Sequence, residues 1–368
     1  VLAEDVHAQK PWPPFAHSAM DGYAVRSADF VGAGPWELPL SAHHRTGHVV
    51  TPLTAGSVAR IFTGAALPPG ADAVVMQEDV EADGALVRFQ SAPHPGAHVR
   101  AQGEDLAPGQ LALAQGTRLT GYQLGLLASL DLVEVPVARR PRVSLLCTGD
   151  ELRSPGGGPA HTLADSNGVA LGALVESAGG LVTRCPLVTD ELDLMRAAVR
   201  EASLGCDLLL TVGGVSVGQH DVVRPALESL GANVEFWKVR MKPGKPLLLA
   251  RLGETLVLGL PGNPASALVT FTLFGMPLVR ALQGDSAPDP EPRWARLVAP
   301  LRQKPGRRGF YRARLRGGAA GDEVELLENQ ASGAVTAMAW ANCLIVVPEE
   351  TEHLEAGARV AVLAFADA

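Results

Sequence analysis

Hydrophobic residues fall along this chain in two rhythms. In the middle third, short unbroken apolar runs alternate with stretches in which apolar residues recur every three or four positions. A run of the first kind suits a strand buried on both faces, and one of the second kind a helix lying against it. Strands are predicted at 143–147, 181–188, 208–212, 234–239, 247–250 and 256–260, and helices at 165–178, 190–204, 221–230 and 265–282. Strand and helix alternating at this length specify a doubly wound α/β sheet with right-handed crossovers. On either side the apolar runs shorten and are punctuated by Pro, Gly and Asp. Runs at 58–62, 73–78 and 85–89 predict a small β module, preceded by a proline-rich extended stretch at 11–14. A polar turn at 103–110 follows, then a helix through residue 130 with Thr120 as its N-cap. After a Pro- and Asp-rich linker at 283–293, runs at 295–299, 310–315, 323–327, 343–347 and 360–365 predict a second small β-barrel or sandwich. The expected domains are an extended, partly helical first domain (1–20 with 103–140), the β module (21–102), the α/β domain (141–283) and the C-terminal barrel (294–368).

Composition narrows the class. A chain of 368 residues with 47% hydrophobic and 19% charged residues is not disordered. Its net charge of −8 argues against a general nucleic-acid surface. Four widely spaced cysteines, Cys147, Cys185, Cys206 and Cys343, form no CxxC pair, so buried thiols are expected in place of a zinc site or disulfide framework. No apolar run reaches the roughly 18 residues of a membrane span, and a soluble, cytoplasmic protein is the expectation. The chain opens at Val1 in mid-pattern, so a further N-terminal segment is expected to precede it.

The chemistry centres on DLLLTVGGVSVGQHD, residues 207–221. An apolar strand ends at Gly213 and Gly214, where two missing Cβ atoms allow positive φ and leave bare backbone for a ligand. Ser216 adds a hydroxyl and Asp221 stands at the expected start of a helix. Strand, glycine loop and helix start form the usual phosphate site of an open α/β sheet. A connecting turn is the plainer alternative. Three more loops reach the same carboxyl edge: Thr148-Gly149-Asp150-Glu151, Val188 to Asp190, and GLPGNP with Pro261 and Pro264. Lys242 and Lys245 lie in KPGKP close by in sequence. Two carboxylates about 5 Å apart repel by roughly 3 kcal/mol at an effective dielectric of 20. Asp150, Glu151, Asp190 and Asp221 therefore gather more easily around a cation, and oxygen ligands beside phosphate favour Mg²⁺. Asp190 and Asp221 also read as ordinary N-caps. His43, His44 and His48 are taken as solvated, and Arg307, Arg308 and Arg312, with Lys304, as a charged face of the last module.

Seven motifs occur in order: MDGYAV (20–25), TGAALPPGADAVVMQE (63–78), GED (103–105), TGDEL (148–152), GGVSVGQHD (213–221), KPGKP (242–246) and GLPGNP (259–264). Together they closely resemble the molybdopterin molybdenumtransferase family, that of the gephyrin E domain, over nearly the whole chain. The resemblance implies a four-domain, elongated homodimer whose central domain binds molybdopterin, with the site at the subunit interface. It implies insertion of molybdenum from molybdate into adenylylated molybdopterin, with Mg²⁺, and release of AMP. Carried over residue by residue, the implied catalytic acids are Asp105, Glu151, Asp190 and Asp221, the last three also as metal ligands. The implied substrate contacts are Asp21, Thr63, Glu78, Lys242, Lys245, Pro261, Pro264 and, in NQASG, Ser332, to which the reading of the loops adds Thr148, Gly149, Gly213, Gly214 and Ser216. The pathway's adenylyltransferase and molybdenum apoenzymes are implied partners, with no nucleic acid and no membrane. Residues 165–167 read Asp-Ser-Asn where many relatives have Asp-Thr-Asn. A molybdopterin adenylyltransferase, which resembles the central domain alone, is disfavoured by the flanking β modules. A non-catalytic scaffold is disfavoured because nothing marks a peptide groove.

Overall fold

The computed structural model describes residues 1–215, 221–319 and 321–365. It divides into two compact units, 2–137 and Val1 with 138–368. The first unit holds a six-stranded sheet in the order Ala73–Met76, Gly22–Val25, Val58–Ile61, Trp36–His44, Leu86–Phe89, Val80–Asp83. Its longest strand, Trp36–His44, lies outside the sequence prediction because Pro39 and paired histidines look like loop. Pro39 gives the ladder no N–H, yet the strand pairs on both sides. The placement corrects the reading of the histidines. His43 and His48 are exposed, but His44 pairs with Ile61 and is buried, its Nε2 has no partner among the described residues, and burial lowers its pKa. The helix Gly121–Ser129 forms as expected, with the Gln123 side chain accepting from the Thr120 N–H at 3.1 Å.

The second unit is built on strands β1 (Arg142–Cys147), β2 (Leu181–Arg184), β3 (Leu208–Val212), β4 (Asn233–Trp237), β5 (Leu248–Leu252) and β6 (Thr255–Leu260), in the order β2-β1-β3-β6-β5-β4. The pairs joining β2, β1, β3 and β6 are parallel. The pairs β6–β5 and β5–β4 are antiparallel. The cause is local: Gly253 (φ 58°) and Glu254 join β5 to β6 by a two-residue loop, which only antiparallel neighbours allow. Helices α1 (Ser166–Ser177), α2 (Leu192–Ala202) and α3 (Val223–Ser229) connect the strands. Asp165 caps α1, accepting from the Gly168 N–H at 2.8 Å. The single helix expected at 265–282 is instead α4 (Pro264–Thr270), a π turn (Phe271–Gly275) and α5 (Met276–Ala281). Pro277 lacks the N–H that a regular turn would use there, and the wide turn absorbs the defect. The stretch 264–281 is long and apolar enough to cross a membrane, contrary to the sequence expectation, but 61% of it is buried, in the sheet's core with Leu145, Leu171 and Leu210.

Beyond the linker, Arg308–Arg316, Glu323–Leu326, Arg293–Leu297, Arg359–Ala364 and Cys343–Val347 pair in that order, and the last returns to the first. The module is thus a closed barrel and not a sandwich. Its first strand also takes Met241–Lys242 as a parallel neighbour. A helix at Val335–Trp340 was not foreseen. Arg312 does not belong to a charged face: it is 1% exposed, and its Nη2 donates to the Ala331 carbonyl at 3.0 Å.

Candidate active site

Parallel pairing of Cys147 with Val212 releases Thr148 and Gly213 from the sheet side by side. The Thr148 N–H donates to the Val212 carbonyl at 2.9 Å and the Gly213 N–H to that of Leu260 at 3.1 Å, so three of the four expected loops start from one hydrogen-bonded edge. Gly213 has φ 93°, and a Cβ on it would lie 2.5 Å from the Thr148 carbonyl oxygen. Gly214 has φ 59°, and its missing Cβ would lie 2.8 Å from Val223 Cγ2. That second glycine serves the packing of α3 and Thr148, which corrects the idea that the space above it lies open for a ligand. Ser216 lies outside the described residues.

The acids sort themselves unequally. Thr148 Oγ1 stands 2.7 Å from Asp190 Oδ1 and 3.0 Å from the Val188 carbonyl oxygen, with one proton between two acceptors. The Asp190 N–H donates to Asp150 Oδ1 at 3.1 Å. Neither Asp190 nor Asp221 is an N-cap. Helix α2 starts after Glu191 and α3 after Val222, with no side-chain cap on either. Asp221 Oδ1 is buried with no hydrogen-bond partner among the described residues. Burial pushes its pKa up to about 7, with Asp190 adding to the rise and Arg224 opposing it. Glu151 is exposed, its carboxylate lying over Gly149, where a Cβ would come 2.7 Å from Oε2. Among the described residues no group of three His, Cys, Asp or Glu side chains is placed to hold a metal ion, so Glu151 does not join Asp190 and Asp221.

A basic cavity of about 410 Å³ lies between the KPGKP loop and the barrel, lined by Lys242, Arg307, Tyr311, Arg312, Gln330 and Ser332 among others. Pairing of Met241–Lys242 with Arg308 and Gly309 fixes Lys242 there. Lys245 is exposed on the same loop and is not among the lining residues. Gly244 (φ 101°) lets the loop pass Thr270, whose Cγ2 would be 2.3 Å from a Cβ. The Ser332 carbonyl accepts from the Ala265 N–H at 2.9 Å, tying this cavity to α4. Pro264 opens that helix, as expected, and Pro261 is buried ahead of it. Arg307 and Arg312 were missed as site residues. Their signal was an arginine at 312 inside the apolar alternation of a strand. Arg312 Nε is buried with no hydrogen-bond partner among the described residues, and burial lowers the pKa of its guanidinium.

Within the first unit, the Thr63 N–H and Oγ1 both donate to Asp21 Oδ1 at 2.7 Å, which holds that carboxyl below its ordinary value. Asp105 accepts from Arg100 at 3.0 Å, and Thr63 and Asp105 share the lining of a cavity of about 640 Å³ with Trp12, Phe15 and His17. Asp21 and the exposed Glu78 do not line it.

Residues 1–130 match the MoeA N-terminal region (domain I and II), 144–281 a probable molybdopterin binding domain, and 295–365 the MoeA C-terminal region (domain IV). Over 375 residues the chain is 36% identical to a molybdopterin molybdenumtransferase of Haemophilus influenzae, covering 99% of this chain and 91% of that one. The chain belongs to the molybdopterin molybdenumtransferase family. It is likewise 38% identical to molybdopterin molybdenumtransferase 2 of Mycobacterium tuberculosis, over 98% of this chain and 91% of that one. A structure of the molybdopterin biosynthesis MoeA protein from Pyrococcus horikoshii superposes with a TM-score of 0.85 at 26% identity, covering 99% and 91% of the two chains. The protein is thus an enzyme of molybdenum cofactor biosynthesis, with an α/β molybdopterin-binding domain between smaller β-rich ones.

For a molybdenumtransferase, one more contact in this edge has consequences. The Trp237 indole donates from Nε1 to the Val215 carbonyl at 3.1 Å, holding the end of the glycine loop, while Arg224 and Lys238 lie 4.7 and 3.7 Å from its ring centroid. Trp237→Phe keeps an aromatic ring, though a smaller one, and loses the donor. Steady-state kinetics should show KM raised about fivefold, the equivalent of one hydrogen bond of about 1 kcal/mol. An unchanged KM would mean that the loop holds itself.

Proposed function

We propose that the enzyme takes adenylylated molybdopterin and molybdate, cleaves the phosphoanhydride that joins AMP to molybdopterin, places molybdenum on the dithiolene and releases AMP, with Mg²⁺ required. The observation that carries this reading is Asp221, a half-buried carboxyl raised to about 7, with an unpartnered oxygen and Asp190 as its neighbouring acid. Such a pair fits a cation. Mg²⁺ is commonly held by one or two carboxylates together with substrate phosphates, a number that these two acids would meet. Asp190 and Asp221 would hold the ion, which when bound neutralises charge on the anhydride oxygens.

The chain's own groups supply the rest. Gly213, whose missing Cβ makes room for the Thr148 carbonyl, turns the chain off the strand beside Thr148, and the loop it opens would receive a phosphate. Thr148 orients Asp190 through its hydroxyl. The cavity of Lys242, Arg307 and Arg312, with Lys245 on the same loop, offers fixed positive charge to the molybdate oxyanion, and the free Arg312 Nε–H supplies a donor. In this reading the enzyme works as a cytoplasmic homodimer, receives its substrate from the adenylyltransferase of the pathway and passes the product to molybdenum apoenzymes. The test supplies purified protein with adenylylated molybdopterin, molybdate and Mg²⁺. AMP release that depends on molybdate, together with activation of a molybdenum-free apoenzyme, is the expected result. Adenylylation of molybdopterin from ATP in place of AMP release would overturn the reading.

A further inference from the structure

One short segment grips Arg312 at both ends. Its strand, Arg308–Arg316, is paired with Glu323–Leu326 only as far as Ala313. One residue earlier in the strand, the side-chain amide of Gln330 stands where a partner strand would be. Its Oε1 accepts from the Arg312 N–H at 3.1 Å, and its Nε2 donates to the Arg312 carbonyl at 2.8 Å. Nε2 also donates to the Leu327 carbonyl at 2.7 Å, so both of its protons are spent. The following residue takes the far end of the arginine, the Ala331 carbonyl accepting from Nη2 at 3.0 Å. Gln330 therefore has no donor left for a ligand and acts on one only through Arg312.

The charge of Arg312 is left unanswered by this arrangement. The cavity of about 410 Å³ that Arg312 and Gln330 border holds three cations, Lys242, Arg307 and Arg312, and no carboxylate is among its described lining residues. Burial lowers the pKa of the Arg312 guanidinium and Tyr311 opposes the shift, yet an arginine in a protein stays protonated. A buried charge is costly unless something of opposite sign stands beside it. Glutamate at 330 would have kept an acceptor for the Arg312 N–H and supplied that opposite charge. The chain has instead the neutral amide of the same size, which holds the cation and does not cancel it.

We infer that Gln330 is the positioning residue that sets the charge selectivity of this cavity: by fixing Arg312 without neutralising it, Gln330 makes the cavity choose doubly charged oxyanions over singly charged ones of the same shape. Coulomb attraction scales with the charge of the ligand, so an uncompensated set of cations favours the dianion, and each acid added to the wall erodes that preference. Molybdate and perrhenate separate charge from shape, since both are tetrahedral oxyanions of closely similar size and only molybdate is a dianion. The inference rests on the proposed function in taking this cavity as the place of the oxyanion.

The test titrates molybdate alone and perrhenate alone into the full chain by calorimetry, at one ionic strength and without phosphate or sulfate. The parent should bind molybdate tighter than perrhenate by about tenfold or more. In Gln330→Glu the added carboxylate repels a dianion twice as strongly as a monoanion, so a loss of about tenfold for perrhenate goes with about a hundredfold for molybdate, and the preference narrows. Gln330→Met, of similar length and with no hydrogen bond to give, should weaken both anions about fivefold and leave the preference as it was, because Arg312 loosens and no charge changes. A preference unmoved in Gln330→Glu, as a purely structural clamp would give, overturns the inference. So does a parent that binds neither anion or does not prefer molybdate, and so do parental affinities in Gln330→Met. If the parent releases AMP in response to molybdate while the preference stays unmoved, the inference fails and the reaction stands. If the preference narrows but the parent releases no AMP, the reverse holds.

Discussion

Asp221→Asn should reduce molybdate-dependent AMP release by about a hundredfold or more, the scale on which preorganised electrostatic groups contribute, and at the same time make the metal-free protein more stable at alkaline pH. The sign follows from linkage. The folded carboxyl titrates near 7 against an ordinary value of 3.8. Below 3.8 both folded and unfolded chains hold the proton. Between 3.8 and 7 the unfolded chain releases it while the folded chain does not, so stability falls across that window and is flat above it. Asparagine has no proton to release. In chelator-treated samples the variant should therefore melt a few degrees above the parent at pH 8 and together with it near pH 3.5. A melting temperature unchanged at both pH values would show that the buried carboxylate carries no strain. Retained turnover would remove Asp221 from the site.

Gly213→Ala is expected to damage the site with a single methyl group. It must occupy φ 93°, costing roughly 1–2 kcal/mol for an L-residue. It also places a carbon 2.5 Å from a backbone oxygen of Thr148, the residue whose hydroxyl holds Asp190 at 2.7 Å. Backbone at a strand end cannot swing aside as a flexible side chain does, so Thr148 must move and Asp190 with it. Turnover should fall about a hundredfold or more with substrate at saturation, as expected when placement of a reacting group is lost. Gly231→Ala provides the control. Its φ of 81° is similarly unfavourable, but nothing lies within 4 Å of the added carbon. That variant should lose a little stability and no activity. Equal activity losses in the two would reduce Gly213 to a matter of general strain.

What the sequence disclosed follows a physical line. The strands of the central sheet were legible because burial on both faces leaves an uninterrupted apolar run, as at Leu208, Leu209 and Leu210, all fully buried. The start of α1 was legible because a cap is a local device, completed by Asp165 and Gly168 within one turn. The glycine loop and the pairing of Asp190 with Asp221 could be argued from loops that must leave the same edge. Features fixed by distant partners were not legible. Arg312 looks like a surface charge until Gln330 and Ala331, from another segment, close around it. His44 looks solvated until its strand pairs with Ile61. Glu151 stands in the same short loop as Thr148, yet its carboxylate lies over Gly149, a choice of rotamer that no spacing rule encodes.

The pairing of Met241–Lys242 with Arg308–Arg316 bears on how the protein is made. The lysine belongs to a loop of the α/β domain, but the strand that fixes it is synthesised only after the whole of that domain's sheet. A nascent chain can therefore complete its glycine loop and acid pair while the basic cavity is still unformed. Emergence of the barrel from the ribosome is the event that completes the basic cavity, so a chain cut short before the barrel would carry the acids without the cations of that cavity.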